Sequence, residues 1–328
     1  MIATTNAARG NVVFCAEYGA GVYYRTRLHR RRSKARKCPR CVVAGWIFRN
    51  KSDDKQIMVN EYLARLKIDG VPEATVENLF RLQEAHLKNI PYENLDILAD
   101  IPVTPLDFDS VYEKVIIRRR GGYCFELNGL FAELLRALGF SVREYFARWH
   151  FKETVDIPRR RHRVLHVTSP DGAEYICDAG IGSECPRFPL KYELMTEQFR
   201  NGRNYRLAED DLLGKVVQVQ VTPETEFVNY YSFEPVAQYP QDFEYVHYYC
   251  SKAESSMFRH KIYAHRFTDC GRCNIEGTDE HTLVMHDTLP DGTVSDTVIS
   301  DRKMFRSMLE EHFGIVLDAE FIDRFIIW

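Results

Sequence analysis

Between Asn60 and Gly139, apolar residues recur three and four positions apart, the period of a helix with one buried face. Tyr62, Leu63 and Leu66 mark a first short helix, and Val76, Leu79, Phe80 and Leu87 a second that Pro91 closes. Asp109 and Ser110 are cap residues for a third over 111–117. Leu127, Leu130, Phe131, Leu134, Leu135 and Leu138 stripe a fourth, which Gly139 ends. From Ser141 to about Pro235 the pattern shortens to strands at 142–149, 163–168, 174–178, 205–207, 215–221 and 230–233. Short strands at regular spacing predict a small barrel or sandwich. A connecting segment over 238–256 follows, carrying Asp242, Phe243 and Tyr245. After it come strands around 261–267 and 282–286 and a turn at Leu289-Pro290-Asp291-Gly292. A last helix carries the core stripe Met304, Phe305, Met308 and Leu309, and Asp301 can cap it. The chain divides into a basic extension (1–57), a helical bundle (58–140), a β-barrel (141–237) and a linker with an α/β region (238–328).

The run Arg120-Gly121-Gly122-Tyr123-Cys124-Phe125-Glu126-Leu127-Asn128 sets a cysteine where a glycine turn enters the fourth helix. Free N–H groups and the helix dipole at such a terminus favour an anion, so a thiol there is expected to have a lowered pKa. A small buried cysteine under a turn is the bland reading. The paired glycines and the polar Arg120, Glu126 and Asn128 favour the reactive one. A nucleophile of this kind needs a base, and the base needs an orienting group. The strands at 163–168 and 174–178 flank Ser169-Pro170-Asp171-Gly172, a turn signal, and should form a hairpin. Counting out from the turn sets His162 opposite Asp178 or Ala179, close enough to pair. His166 shares a face with His162 but lies about 13 Å along the strand, so it reads as a histidine satisfied by a strand neighbour. Asp178 ends its strand before Ala179-Gly180-Ile181-Gly182, where glycines allow close backbone approach. Cys177 points to the opposite face and reads as core.

In the order Cys124, His162, Asp178 the chain resembles the arylamine N-acetyltransferases. The matching pieces are the run 120–128, His162-Arg163-Val164-Leu165, Cys177-Asp178-Ala179-Gly180-Ile181-Gly182 and Ile90-Pro91-Tyr92-Glu93-Asn94-Leu95. The spacings of 38 residues from cysteine to histidine and 16 from histidine to aspartate also fit. The resemblance runs from about Met58 to the C-terminus. It implies an α+β fold of helical bundle, β-barrel and α/β lid around a Cys-His-Asp core like that of thiol proteases. It also implies double displacement: an acyl group, acetyl first among candidates, passes from acyl-coenzyme A to Cys124 and then to an arylamine or arylhydrazine. The backbone N–H of Cys124 is the candidate oxyanion donor. By the same resemblance Arg161, Phe125 and Ile181 contact the amine, and Tyr249, Ser251 and Ser255 contact coenzyme A. Departures fall around the triad. Ile181 stands where an aromatic residue is usual, Ala179 where a β-branched one is, Arg161 where threonine is common and Glu254 where proline is usual. They bear on the choice of donor and acceptor.

Charge adds one feature. Residues 1–57 hold 13 Lys/Arg against 3 Asp/Glu, a net +10, while the whole chain carries −3. The block peaks at 25–40, including Arg30-Arg31-Arg32, and reads as solvated, disordered or upstream sequence. An Arg-rich transit peptide or a nucleic-acid-binding arm are the other readings. Arg159-Arg160-Arg161 reads as a solvated loop. No apolar run reaches transmembrane length and the N-terminus lacks an apolar signal region, so a cytoplasmic protein, monomeric or weakly oligomeric, is expected. Nine scattered cysteines do not read as a disulfide framework. Cys38-Pro39-Arg40-Cys41 and Cys270-Gly271-Arg272-Cys273 lie 228 residues apart, so no metal site is expected. Two rivals remain: a thiol peptidase or amidase on the same triad, and a nucleic-acid-binding protein acting through its basic N-terminus.

Overall fold

A computed structural model describes residues 51–324 apart from 183–185, 201, 270, 278–281 and 290. It also describes a hairpin of β1 (Glu17–Tyr18) and β2 (Gly21–Val22) within a separate unit, Met1–Arg49. The basic block at 25–40, the motif at Cys38–Cys41 and Cys270 lie outside the described residues.

Helices open the main unit: α1 (Lys51–Arg65), α2 (Val76–Asn89), the two-residue β3 (Tyr92–Glu93), α3 (Leu95–Leu98), α4 (Phe108–Tyr112) and α5 (Cys124–Leu138). A boundary at residue 58 falls inside α1, which begins seven residues before the bundle was expected to start. Thr75 caps α2 through Asn78 N. The cap of α4 is Asp107, through Ser110 N, rather than Asp109 or Ser110, and a π-helical turn at Glu113–Ile117 carries the chain on. The stripe of α5 packs Leu127, Leu130, Phe131, Leu134 and Leu135 against Tyr62, Leu66, Leu79 and Leu82 and the strand residues Leu165 and Val167. Each such side chain contributes about 1.5–3 kcal/mol by leaving water.

The central region is one antiparallel sheet of β4 (Ser141–Trp149), β5 (His162–Thr168), β6 (Glu174–Cys177), β7 (Leu190–Lys191), β8 (Gln198–Arg200), β9 (Arg203–Asp210), β10 (Gly214–Gln220) and β11 (Val228–Phe233). Its order is β7-β6-β5-β4-β11-β10-β9-β8, and it curls until its edges nearly meet. At the seam the Gln198 side chain acts as a ladder rung: Lys191 N donates to its Oε1 at 2.7 Å, and its Nε2 donates to Lys191 O at 3.2 Å. Met195 N donates to Leu207 O close by. Tyr145, Val164, Val217, Val219, Tyr230, Tyr231 and Phe233 fill the interior.

Residues 238–256 are not a simple connector. They hold α6 (Pro240–Lys252), begun by Pro240 and a capping box of Tyr239 and Asp242. After a 3₁₀ turn at Met257–Arg259 come β12 (Tyr263–Thr268), β13 (Gly271–Gly277), β14 (Leu283–Thr288) and β15 (Val294–Ile299). Helices α7 (Arg302–Met308), capped by Asp301, and α8 (Ala319–Asp323) close the unit. The second sheet runs β15-β14-β13-β12-β3, so its last strand comes from the helical bundle.

Candidate active site

The turn before α5 is built by two of the motifs together. Backbone at Pro91–Glu93 runs alongside Gly121 and Gly122: Glu93 N donates to Gly122 O at 2.8 Å. A Cβ on Gly121 would sit 2.1 Å from Pro91 O, which is why the turn needs glycine. Glu126 Oε2 accepts from Tyr123 N at 3.0 Å, and the Glu126 carboxylate also takes Lys114 Nζ at 2.8 Å. Lys114 reaches Asp96 at 2.8 Å, and Arg120 bridges Asp96 and Glu93 at 2.8 and 2.9 Å. These charges are buried, so each partner offsets the other's loss of water. Asn94 ties the second sheet to the same turn, donating to Phe258 O and Lys261 O and accepting from Tyr263 N.

Cys124 is thereby the first residue of α5, 2% exposed. His162 begins β5 and Asp178 follows the last residue of β6; both are buried. His162 Nε2 and Asp178 Oδ2 lie 2.6 Å apart. An ionised carboxylate only accepts, so Nε2 carries the proton and Nδ1 is the ring nitrogen left as an acceptor. The expected pair is present, but its register differs. Thr168 faces Glu174 and Leu165 faces Cys177, which carries Asp178 toward Val164, not His162. The pair is diagonal and depends on the strand ending at Cys177, where the chain leaves the ladder.

Asn128, one turn into α5, holds the carboxylate in place. Its Nδ2 donates to Asp178 Oδ1 (2.8 Å) and to Arg163 O (2.6 Å), and its Oδ1 accepts from Ala179 N (2.8 Å). Gly180 N adds a third contact to the carboxylate, donating to Oδ1 at 3.0 Å. A Cβ on Gly180 would meet Cys124 Cα and Asn128 Nδ2, each at 2.8 Å. The close backbone approach expected at this glycine is what the structure shows. His166 sits apart: Nδ1 lies 2.9 Å from the Tyr145 hydroxyl, Nε2 3.3 Å from Glu174, and its ring stacks on Tyr192. Its strand neighbour opposite is Ile176. Cys177 is core.

Burial pushes the Cys124 thiol well above the usual thiol range, with the charges of Cys250 and Asp178 adding to it and the backbone N–H groups of Arg163 and Phe125 opposing. The lowered pKa expected from the helix terminus is thus outweighed by loss of water around the sulphur.

Cys124 and His162 open on a cavity of about 440 Å³ walled by Tyr92, Trp149, Phe151, Ile181, Met257, Phe258 and Tyr263, with Arg161, Lys152, Glu153, Lys261 and Glu276 as its charged lining. Arg161 and Ile181 line this cavity. Arg161 engages Glu153 and the Met257 sulphur. Phe125 is not in the cavity: it is fully buried among Tyr123, Phe146 and Phe243, because the first turn of α5 directs it into the core under α6. A smaller cavity of about 150 Å³ shares Glu153, Arg161, Met257 and Phe258 with the first and adds Arg159, Tyr249 and Ser255. Tyr249 Oη and Ser255 Oγ are 3.0 Å apart, and Arg159 lies over the Tyr249 ring. Ser251 is buried on the inner side of α6, its hydroxyl spent on Tyr248 O, and does not reach this cavity. Trp149, Phe151 and Phe258 were not foreseen. Trp149 is two residues along β4 from Ala147, the partner of His162, a pairing no local turn encodes.

Among the described residues no group of three or more His, Cys, Asp or Glu is placed to hold a metal, and no helix is long and apolar enough to cross a membrane. Residues 75–322 match the N-acetyltransferase family profile. An arylamine N-acetyltransferase of Mycobacterium tuberculosis is 34% identical over 257 residues, 77% of this chain and 88% of that one. An arylamine N-acetyltransferase / N-hydroxyarylamine O-acetyltransferase of Salmonella typhimurium is 31% identical over 258 residues, 78% of this chain and 88% of that one. The solved structure of Mycobacterium marinum arylamine N-acetyltransferase in complex with CoA superposes with a TM-score of 0.72 at 30% identity, covering 81% of this chain and 98% of that chain. The sequence motifs, the sheet that carries them and these likenesses agree, and the chain belongs to the arylamine N-acetyltransferase family.

Proposed function

We propose that this enzyme moves an acetyl group from acetyl-coenzyme A to an arylamine or arylhydrazine nitrogen through a thioester on Cys124. The observation that carries the reading is that His162, held by buried Asp178 at 2.6 Å, lines one cavity together with Cys124. Activation rests on transfer of the Cys124 thiol proton to His162 Nδ1, the ring nitrogen not engaged by Asp178. A bond forms from sulphur to the acetyl carbon, the bond from that carbon to the coenzyme A sulphur breaks, and His162 returns the proton to the departing thiolate. The amine nitrogen then attacks the thioester, and His162 takes its proton and passes it to Cys124, which leaves as the thiol. Asp178 balances the imidazolium in both halves and fixes the ring. The backbone N–H of Cys124 is the oxyanion donor in this scheme.

An arylamine suits the aromatic walls of Trp149, Phe151 and Phe258, and its weakly basic nitrogen is unprotonated near neutral pH. Tyr249 and Ser255 are the polar groups proposed for coenzyme A, with Arg159 beside them for phosphate. In this reading the α6 region is a wall of the donor cleft and the core is of thiol-protease type. A single acyl-coenzyme A panel with intact-mass detection tests the reading. One acetyl mass on the peptide holding Cys124, absent in Cys124→Ala, is expected. Label on Cys177, or none, would overturn it.

A further inference from the structure

We propose that the cleft where α1 and α2 end is a second binding site, taking a small ligand with two or more linked phosphate groups. This cleft, about 520 Å³, lies between the ends of α1 and α2, β12 and the π-helical turn at Leu309–Phe313. It shares no lining residue with the catalytic cavity. Six cationic side chains line it: Arg65, Lys67, Arg81, Lys88, Arg119 and Arg266. The two carboxylates in the lining are already engaged. Glu84 and Asp269 both bind Lys88, at 3.1 and 2.9 Å, and Glu84 also binds Arg187. Among the described residues, no carboxylate pairs with the other five cations.

A solvated basic face would be the ordinary explanation for Lys67, Arg81 and Arg119, but it does not account for Arg65. That guanidinium is 7% exposed, and its Nε has no hydrogen-bond partner among the described residues; nor does Arg266 Nε. Among the described residues its one hydrogen bond is from Nη2 to Arg119 O, at 3.3 Å. Burial, then the nearby charges of Arg119 and Arg266, pull its pKa down to about 10. Helix-end carbonyls do not absorb the charge either, because Asn89 Nδ2 already donates to Leu66 O and Ala85 O. The fold thus holds a buried guanidinium beside two others with donors to spare. Buried donors of this kind are matched by an acceptor, and the charge present exceeds what one monoanion balances. Arginine forks fit phosphate oxygens in pairs. A concave cleft of this volume admits a small molecule rather than a duplex or a protein segment.

The test uses the full chain and inorganic tripolyphosphate, by titration calorimetry at low salt, with sulphate at matched ionic strength as reference. Lys67 and Arg119 have left-handed backbone (φ 59° and 55°), which asparagine tolerates, so Lys67→Asn with Arg119→Asn removes two charges without strain. The parent should bind tripolyphosphate more tightly than sulphate, and the double variant should bind it at least about tenfold more weakly. Acetyl transfer should be unchanged in that variant. Lys303→Gln, on α7 away from the cleft, should bind as the parent does. The basic N-terminal block is common to all three proteins and cancels. ADP in place of tripolyphosphate identifies the source: tighter binding assigns a nucleotide, equal binding a bare phosphate chain. Equal affinity in parent and double variant, or an equal loss in Lys303→Gln, overturns the proposal.

Discussion

Asn128 offers the sharpest test of how the triad is held. Truncation to alanine removes three hydrogen bonds at a fully buried position. Asp178 Oδ1 keeps Gly180 N, so the carboxylate is not stranded. Arg163 O and Ala179 N lose the partner that Asn128 supplied. Each such buried group costs about 1–3 kcal/mol, so Asn128→Ala should lose about 2–6 kcal/mol of unfolding free energy. That is a large part of the 5–15 kcal/mol typical of a folded domain. Asn128→Asp separates charge from shape. The new carboxylate would face Asp178 where an amide donated, which raises its pKa above the unfolded value. A raised carboxyl pKa stabilises below the unfolded value and loses that stability as pH rises through the folded one. The penalty relative to the parent should therefore shrink on acidification from pH 7 toward pH 5. Urea unfolding at several pH values measures both effects, and single-turnover acetylation reports whether Asp178 still orients His162. A loss under about 1 kcal/mol in Asn128→Ala with an unchanged rate would refute the network as described.

Three further outcomes are expected. His162→Asn should slow turnover by at least about 10²-fold and His166→Asn by far less; the reverse order in steady-state rates would move the base to His166. Burial lowers His247 to about 4, while Tyr123 and Thr104 O hold its two nitrogens, so the unfolded chain binds the extra proton first as pH falls below about 6.5. That should cost about 2 kcal/mol between pH 7 and pH 5, and His247→Gln should show a correspondingly flatter profile; a parent-to-variant difference independent of pH would contradict it. Gly180→Ala should displace Cys124 or Asn128, given the 2.8 Å approach to both, and lose most activity; a crystal structure with the turn unmoved and full turnover would discount the space argument.

The parts of the fold that were legible carry apolar spacing or turn signals readable in the chain itself. The leucine stripe of α5 and the turn between β5 and β6 are of this kind, although both α5 and β5 are buried along most of their length. Helix α6 was missed although Pro240 and the Tyr239–Asp242 cap mark its start, because Tyr245 and Tyr248 are apolar in composition yet exposed, which blurs the helical stripe. Strand β13 carries glycine at both ends and a polar middle, and β15 is an edge strand with an open face, so neither shows a strand pattern. At the site, the residue types of the triad and their order were readable. Phe125 and Ser251 were misplaced because sequence order gives a motif neighbour no direction, whereas the helix turns each of them inward. The neutralised Arg161 depends on Glu153, held across a loop.

Strand β3 has a consequence for when the enzyme comes into being. Glu93 pairs with Ala264 and Tyr92 with His265, about 170 residues later, and such distant pairing makes folding slow. Synthesis runs from the N-terminus at about 5–20 residues per second, so Cys124, His162 and Asp178 emerge seconds before the strand that completes the wall of their cavity. During that interval the β3 edge has no neighbour in β12, and Asn94 lacks the backbone it grips at Phe258, Lys261 and Tyr263. Catalytic competence is therefore a property of the finished chain, and a ribosome-bound intermediate ending before β12 would carry the triad without a working cleft.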